Sequence, residues 1–284
     1  MTIKFQKMLE DEAAPLPVGN LLVVDAINLA FRWKHMGKFD FEYDYMRTVE
    51  SLAKSYNCGK IIITADFKGS RYRKSIYPEY KENRKERFAD QTEAEKKEIE
   101  LFFAEIEKTL SSLAKKYLVL RFQGVEADDI AAWIAKHAEV DNIWLISSDR
   151  DWDLLVNDKI SRFSYVTRKE TTLLNWEEHY DFTPEQYISI KCLTGDSGDN
   201  VAGIPGIGPK RAKELVEEYG DALNIYASCP IDSKYKHIQS LNENYDRILL
   251  NYELMDIVSF HEDAIGEDNL AQLEKSFMEY MNEN

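Results

Sequence analysis

Four short apolar runs divide the first half of the chain: residues 20–25 (NLLVVD), 60–66 (KIIITAD), 117–122 (YLVLRF) and 142–147 (NIWLIS). They are rich in Val, Ile and Leu and do not alternate strictly with polar residues. That is the pattern of strands buried on both faces of a parallel sheet. Helical spacing separates them. Residues 40–57 carry apolar positions at helical intervals, and Thr92 with Glu95 forms a capping-box pair opening a helix to about Lys116. Strands alternating with helices predict an α/β fold, a mostly parallel central sheet flanked by helices with right-handed crossovers.

The second half is helical. Thr183, Pro184 and Gln186 predict a helix start, with proline in the first turn, and this helix ends near Gly195. Another runs from about Pro209 to Gly220. The expected division is an extension over 1–19, an α/β core over 20–182, and a helical region over 183–284 containing a hairpin at 184–220. Residues 1–19 and 265–284 carry no readable motif.

The ends of the apolar runs carry the candidate chemistry. The first stops at Asp25 and the second at Asp66. The third is followed by Glu126, Asp128 and Asp129, and the fourth by Asp149, Asp151 and Asp153. In open α/β sheets the carboxyl ends of the strands form the ligand-binding edge. Asp196 and Asp199 are candidates to join this rim. Taken singly, Asp25 or Asp66 reads as a turn residue, and Glu126 with Asp128 as acids favouring a helix start. Taken together they face an electrostatic problem. Two carboxylates about 4 Å apart repel by roughly 4 kcal/mol at an effective dielectric near 20. Such a rim needs divalent cations or retained protons. All-oxygen ligation points to Mg²⁺ or Mn²⁺ rather than zinc.

Composition narrows the class. Hydrophobic residues make up 44% and charged residues 31% of 284, ordinary for a globular chain. No run of 18 apolar residues occurs, the amino terminus lacks a signal peptide's apolar middle, and no membrane partner is expected. Three scattered cysteines suit a reducing, cytoplasmic location. No HExxH, GxxxxGK[ST] or strand-following GxGxxG is present. The Asp149, Asp151, Asp153 triplet fails as a calcium loop, because Leu154 and Ile160 stand where glycine and glutamate belong. Net charge is −15, yet residues 68–87 hold eight Lys or Arg against three Glu, with Tyr72, Tyr77 and Tyr80 interleaved.

Residues 195–198, GDSG, look like a trypsin-type nucleophile segment. Asp199 would oppose an oxyanion there, and the α/β alternation disagrees with that protease plan. The following GIPGIG, with Gly206 and Gly208, places glycines where backbone turns tightly and approaches a partner. Lys210 and Arg211 then add charge beside a helix amino terminus, a setting for one phosphate backbone.

VVDAINLAFR (23–32), SRYRKSIYPEYKENR (70–84), GVEADD (124–129), SSDRDWD (147–153) and GDSGDNVAGIPGIGPKRA (195–212) resemble the successive motifs of the flap endonuclease/5′-3′ exonuclease superfamily. The nearest resemblance is to stand-alone phage 5′-nucleases and the 5′-nuclease domain of bacterial repair polymerases. It implies a phosphodiesterase acting on 5′ flaps, single-stranded 5′ ends and branched DNA in replication or repair. It allows RNA and RNA–DNA hybrids as further substrates, and implies 5′-phosphate and 3′-hydroxyl products and a monomer. By position it implies that Asp25, Asp66, Glu126 and Asp128 hold a first Mg²⁺, and that Asp149, Asp151, Asp196 and Asp199 hold or organise a second. Mn²⁺ is an expected substitute, and Asp129 is expected near both ions. Lys81 and Arg84 match positions stabilising the scissile phosphate, Tyr80 one that stacks a base, and Arg32 a phosphate contact. Residues 68–116 resemble a helical arch. Gly206, Gly208, Lys210 and Arg211 resemble a helix–three-turn–helix that grips duplex DNA and takes K⁺. Glu82, Ala26 and Arg150 depart from the pattern without removing an acid. With no polymerase segment read, the nuclease is expected to stand alone or be recruited. Two other classes remain open: a PIN-like metal-dependent ribonuclease and a non-catalytic branched-DNA-binding protein.

Overall fold

The computed structural model describes residues 19–84 and 90–283. The extension read over 1–19, Gly19 apart, and residues 85–87 of the basic run lie outside the described residues.

Each apolar run forms a strand: β1 (Asn20–Asp25), β2 (Cys58–Thr64), β3 (Leu118–Leu120) and β4 (Ile143–Ile146). Two further strands, β5 (Ile160–Ser164) and β6 (Lys169–Thr171), extend the sheet. They were not read from the sequence, because Arg162 and flanking polar residues break the apolar run. The order is β3-β2-β1-β4-β5-β6, with only β6 antiparallel. Chain order reverses between β1 and β4, where Val23 pairs with Leu145. That crevice is the usual binding point of such sheets.

Both faces of the sheet are covered, which explains the unbroken apolar runs. Leu22, Val24, Ile61 and Ile63 pack under α1 (Ala26–His35), α2 (Glu42–Ser55) and α4 (Glu93–Leu113). Leu21, Val23, Ile62 and Leu145 point to the other side. There they meet α5 (Ala127–His137) and two helices from the end of the chain, α11 (Ile257–Ile265) and α12 (Glu267–Asn282). The short helix α3 (Arg71–Ile76) lies between α2 and α4 in sequence.

The last two helices therefore return to the α/β core. The apolar side of α12, Leu273 and Phe277, seals the sheet, and Trp133 meets Phe277 edge-on at 5.3 Å. Helices α6 (Pro184–Thr194), α7 (Pro209–Tyr219), α8 (Ala222–Ser228), α9 (Lys236–Asn244) and α10 (Asp246–Met255) contribute to a separate core built on Leu193, Leu215, Ile225 and Ile248.

Between α6 and α7 the chain makes a tight antiparallel pair, β7 (Gly195–Asp196) with β8 (Val201–Ala202). Gly195 has φ of +71°, and a Cβ on Gly203 would lie 2.2 Å from the Thr194 carbonyl oxygen. Both glycines are needed for this close backbone crossing. Gly203→Ala should lower stability by about 1–3 kcal/mol or more, as overpacking against backbone does. Gly208→Ala, with nothing within 4 Å of its added carbon, should be near neutral. Thermal unfolding of the two variants checks the contrast, and equal midpoints would refute it.

Candidate active site

Each acid is fixed for a local reason. Asp25 ends β1 and caps α1, accepting from the Asn28 N–H at 3.1 Å and from Ser147 Oγ at 2.9 Å. Asp66, just past β2, accepts from the Ala127 N–H at 2.6 Å, tying that strand end to the first turn of α5. Glu126 precedes α5, while Asp128 and Asp129 occupy its first turn, where the helix dipole favours negative charge. Asp128 accepts from Trp152 Nε1 at 2.6 Å. Asp149 caps the 3₁₀ turn Arg150–Leu155 and accepts from the Asp151 N–H at 3.0 Å. Asp196 Oδ1 accepts from the N–H groups of Gly198 and Asp199.

The strand order brings these acids into one electrostatically connected basin. Burial, then the Asp66 charge, pushes Asp25 up to about 8. Burial and Glu126 raise Asp66, while burial with Asp149 and Asp66 holds Asp128 well above the carboxylate range. Burial also pushes Asp151 up to about 6, with Asp149 and Asp196 adding to the rise and Lys191 opposing it. Unneutralised, this crowding keeps protons on carboxyl groups at neutral pH.

Cations from distant segments relieve part of it. Lys81 Nζ donates to Glu126 Oε1 at 2.6 Å and lies 3.5 Å from Asp199, and Arg84 donates to Asp199 at 2.7 Å. Burial alone would raise Glu126, but Lys81 and Arg73 outweigh it and hold the group below its ordinary value. Asp199 is likewise lowered by Lys81 and Arg84 against burial. Lys191, on α6, bonds Asp151 and reaches Asp196 at 3.4 Å. Its charge persists despite burial because Asp151 stabilises it. Lys81 sits at φ of +58°, a strained backbone for a non-glycine residue, with its N–H bonded to the Asp199 carbonyl at 2.9 Å.

With lysine and arginine heads between them, no three acid groups among the described residues converge on a point where they hold an ion together. The donor set nevertheless suits hard divalent cations: oxygens only, buried, and destabilised by mutual repulsion. An entering ion would compete with Lys81 and Lys191 for the same oxygens.

Three expectations need correction. Tyr80 is 3% exposed, and its hydroxyl donates to Glu126 and Asp199 at 3.1 and 2.9 Å. Its ring is therefore enclosed and presents no face to a base. Asp129 is fully buried in a two-bond pair with Arg73, both contacts 2.7 Å, so it does not face the basin. Asp153 turns inward to Arg162 and Tyr180. Sequence reading missed Arg73 and Lys191. Arg73 is indistinguishable within a basic run. Lys191 had a signal, since it interrupts the otherwise apolar run of Ile190, Cys192 and Leu193, which is buried in the structure.

The remaining candidates lie apart. Ser197 is exposed, and its carbonyl accepts from Asn83 Nδ2 at 2.9 Å. Gly206, Gly208, Lys210 and Arg211 form the exposed hairpin tip, where Arg211 donates to the Gly206 carbonyl at 2.6 Å. Gly208 is the N-cap of α7 without a side-chain cap, leaving first-turn N–H groups available to an anion. Arg32 lies on α1, stacked over Tyr165 at 4.2 Å.

An acid-edged parallel sheet beside a glycine-turned helical hairpin is the plan of a nuclease. The chain belongs to the 5′-3′ exonuclease family: the model of its N-terminal resolvase-like domain matches residues 20–182, and that of its C-terminal SAM fold residues 182–276. It is 40% identical to the flap endonuclease of Escherichia phage T5, over 98% of this chain and 99% of that protein. The structure superposes on the bacteriophage T5 flap endonuclease, solved as a pseudo-enzyme–product complex with DNA and metal ions. The TM-score is 0.90 at 39% identity, covering 93% of this chain and 100% of the other. A T5 5′-exonuclease with bound divalent zinc matches with a TM-score of 0.89 at 41% identity, covering 92% and 99%.

The shifts fix a sign for pH dependence. Because Asp25 rises from 3.8 to about 8, the folded chain keeps a proton that the unfolded chain releases between those values. Stability contributed by this group therefore falls as pH rises through that window. Glu126 and Asp199, being lowered, act below the ordinary carboxylate range instead. In EDTA the thermal midpoint should fall between about pH 4 and pH 8, and Asp25→Asn should flatten the fall. An unchanged slope in that variant would reject the assignment.

Proposed function

We propose that this chain is a structure-selective 5′ nuclease. It hydrolyses phosphodiester bonds at 5′ ends, flaps and branches of DNA, leaving 5′-phosphate and 3′-hydroxyl termini. The observation that carries this reading is the gathering of Asp25, Asp66, Glu126, Asp128, Asp149, Asp151, Asp196 and Asp199 at the switch point of the sheet, with Lys81 and Arg84 over them. The phage T5 relatives, a flap endonuclease and a 5′-exonuclease solved with DNA or divalent metal, support it.

Asp25, Asp66, Glu126 and Asp128 would hold one Mg²⁺, and Asp149, Asp151, Asp196 and Asp199 a second, with Mn²⁺ able to serve. When bound, such ions supply Lewis acidity and bring a water toward ionisation at neutral pH. The protein's own groups do the rest. Lys81 exchanges its Glu126 contact for a non-bridging oxygen of the scissile phosphate and stabilises charge developing there. Arg84, with 55% of its side chain exposed, takes a neighbouring phosphate. Arg73 and Asp129 hold the start of α5, and therefore Glu126, in place. The α7 amino terminus with Lys210 and Arg211 grips a duplex backbone without reading bases.

Incubation with 5′-flap DNA, hairpin RNA and plain duplex, in Mg²⁺ or EDTA, tests the reading. Flap cleavage should require the ion. Asp151→Asn should lose about 10²-fold or more in turnover, beyond the cost of removing a ligand's supporting partner, while still binding the flap. Lys81→Ala should slow cleavage by about 10²–10³-fold. Cleavage of RNA alone would favour a ribonuclease, binding without cleavage a non-catalytic protein, and full activity of Asp151→Asn would overturn the metal assignment.

A further inference from the structure

One buried ion pair lies outside the proposed chemistry. Arg162, on β5, and Asp153, in the 3₁₀ turn Arg150–Leu155, are 5% and 1% exposed. Alternation along β5 puts Arg162 on the same face as Ile160, which packs into the core on the α5 side. An apolar residue would be the ordinary occupant of that position.

The guanidinium is used in full. Nε donates to Asp153 Oδ1 at 2.5 Å and Nη2 to Oδ2 at 2.7 Å, a planar fork on a carboxylate. Nη2 also donates to Thr171 Oγ1 on β6 at 3.2 Å, and Nη1 to the Ser147 carbonyl at 3.0 Å. Tyr180 donates to Asp153 Oδ2 at 2.5 Å, so both oxygens of this acid are taken. One side chain therefore grips residues 147 and 153, and Asp149 and Asp151 lie between the two grips. Ser147 carries the hold into the basin, since its hydroxyl donates to Asp25 Oδ2 at 2.9 Å and accepts from the Asp149 N–H at 3.1 Å.

Stability does not require such a pair. Apolar residues of similar volume commonly serve a core as well as a buried ion pair or better. What the fork adds is orientation, because it fixes the angle of the carboxylate as well as its distance. We infer that Arg162, acting through Asp153 and the Ser147 carbonyl, is a positioning residue for the divalent ion assigned to Asp149 and Asp151. It touches neither ion nor DNA, and holds the segment that presents those two acids. The inference rests on the nuclease reading and deepens it.

Titration of Mn²⁺ into the DNA-free protein, followed by electron paramagnetic resonance, tests it without turnover. The wild type should bind two ions. Arg162→Lys keeps the charge but not the fork. It should weaken one site about tenfold, the lower end of what loss of a ligand's supporting partner costs, and spare the other. Added to Asp149→Asn it should cost little more, since both act on one site. Arg162→Met with Asp153→Leu and Tyr180→Phe fills the space without the fork. Thermal unfolding in EDTA should find this variant folded, with the same site weakened at least as much. Should it fail to fold, Arg162→Lys decides alone. If the wild type binds no Mn²⁺ or leaves 5′-flap DNA uncut in Mg²⁺, the nuclease reading falls and this inference with it. If the wild type does both, and either folded variant binds two ions at wild-type affinity, the positioning role alone falls. Trp152, fully buried and bonded to Asp128, is then enough to place the turn. Equal weakening of both Mn²⁺ sites and of flap binding in EDTA also overturns the role, because general loosening of the fold produces that result.

Discussion

Repulsion among buried carboxylates is the constraint around which this molecule is arranged. Ordinary folding would not gather eight acids at one sheet edge, since each close pair costs energy that no apolar contact returns. The chain meets that cost with specific positive groups placed by elements far apart in sequence. Lys81 reaches Glu126 from the segment after α3, Arg73 reaches Asp129 from within α3, and Lys191 reaches Asp151 from α6. Where no ion pair forms among the described residues, at Asp25 and Asp128, the carboxyl groups are driven toward their neutral form, although Lys81 partly opposes this at Asp128.

These ion pairs are also mechanical ties. Arg73 bonds Asp129 and Glu126 on one side and the Leu254 carbonyl, near the end of α10, on the other. Residues 79–83 bond to the loop that carries Asp196 and Asp199. Asn200 donates to the Glu79 carbonyl, Asn83 to that of Ser197, and the Lys81 N–H to that of Asp199. The base of the basic segment, the acidic hairpin and the first turn of α5 are thus tied together. A change in the position of Lys81 is felt by acids from both halves of the chain. In a buried network of this kind, removing one member leaves its partner's charge buried and uncompensated.

The sequence made the strands and the acids legible for the same reason. Strands buried on both faces leave unbroken Val and Ile runs, and a strand that ends in Asp advertises its own carboxyl terminus. β5 and β6 stayed hidden because Arg162 and Ser161 interrupt the run, and the arginine makes sense only once Asp153 is seen beside it. Tyr80 and Asp129 were given to the substrate and the metals because residue type reveals chemistry but not direction. Only the tertiary contacts turn one toward Glu126 and the other toward Arg73. The return of α11 and α12 to the sheet was similarly out of reach, since an amphipathic helix does not say which apolar surface it will cover.

The distribution of charge resolves the conflict between a strongly acidic chain and a polyanionic substrate. Net charge governs long-range repulsion, but within a screened solution a ligand responds to charges inside about a Debye length. Here many of the acids are enclosed in the basin, whose field is directed at ions, and others are paired on the surface. Some arginines and lysines are held outward by rigid devices: the Tyr165 ring for Arg32 and Arg168, and a glycine-turned helix start for Arg211 and for Lys210, which lies 4.0 Å from Glu214. On the proposed reading a nucleic acid is repelled weakly by the molecule as a whole and attracted at these few places. Such a surface discourages binding anywhere else, so the same acidity that seems adverse to the substrate selects for a strand that engages several of these places at once.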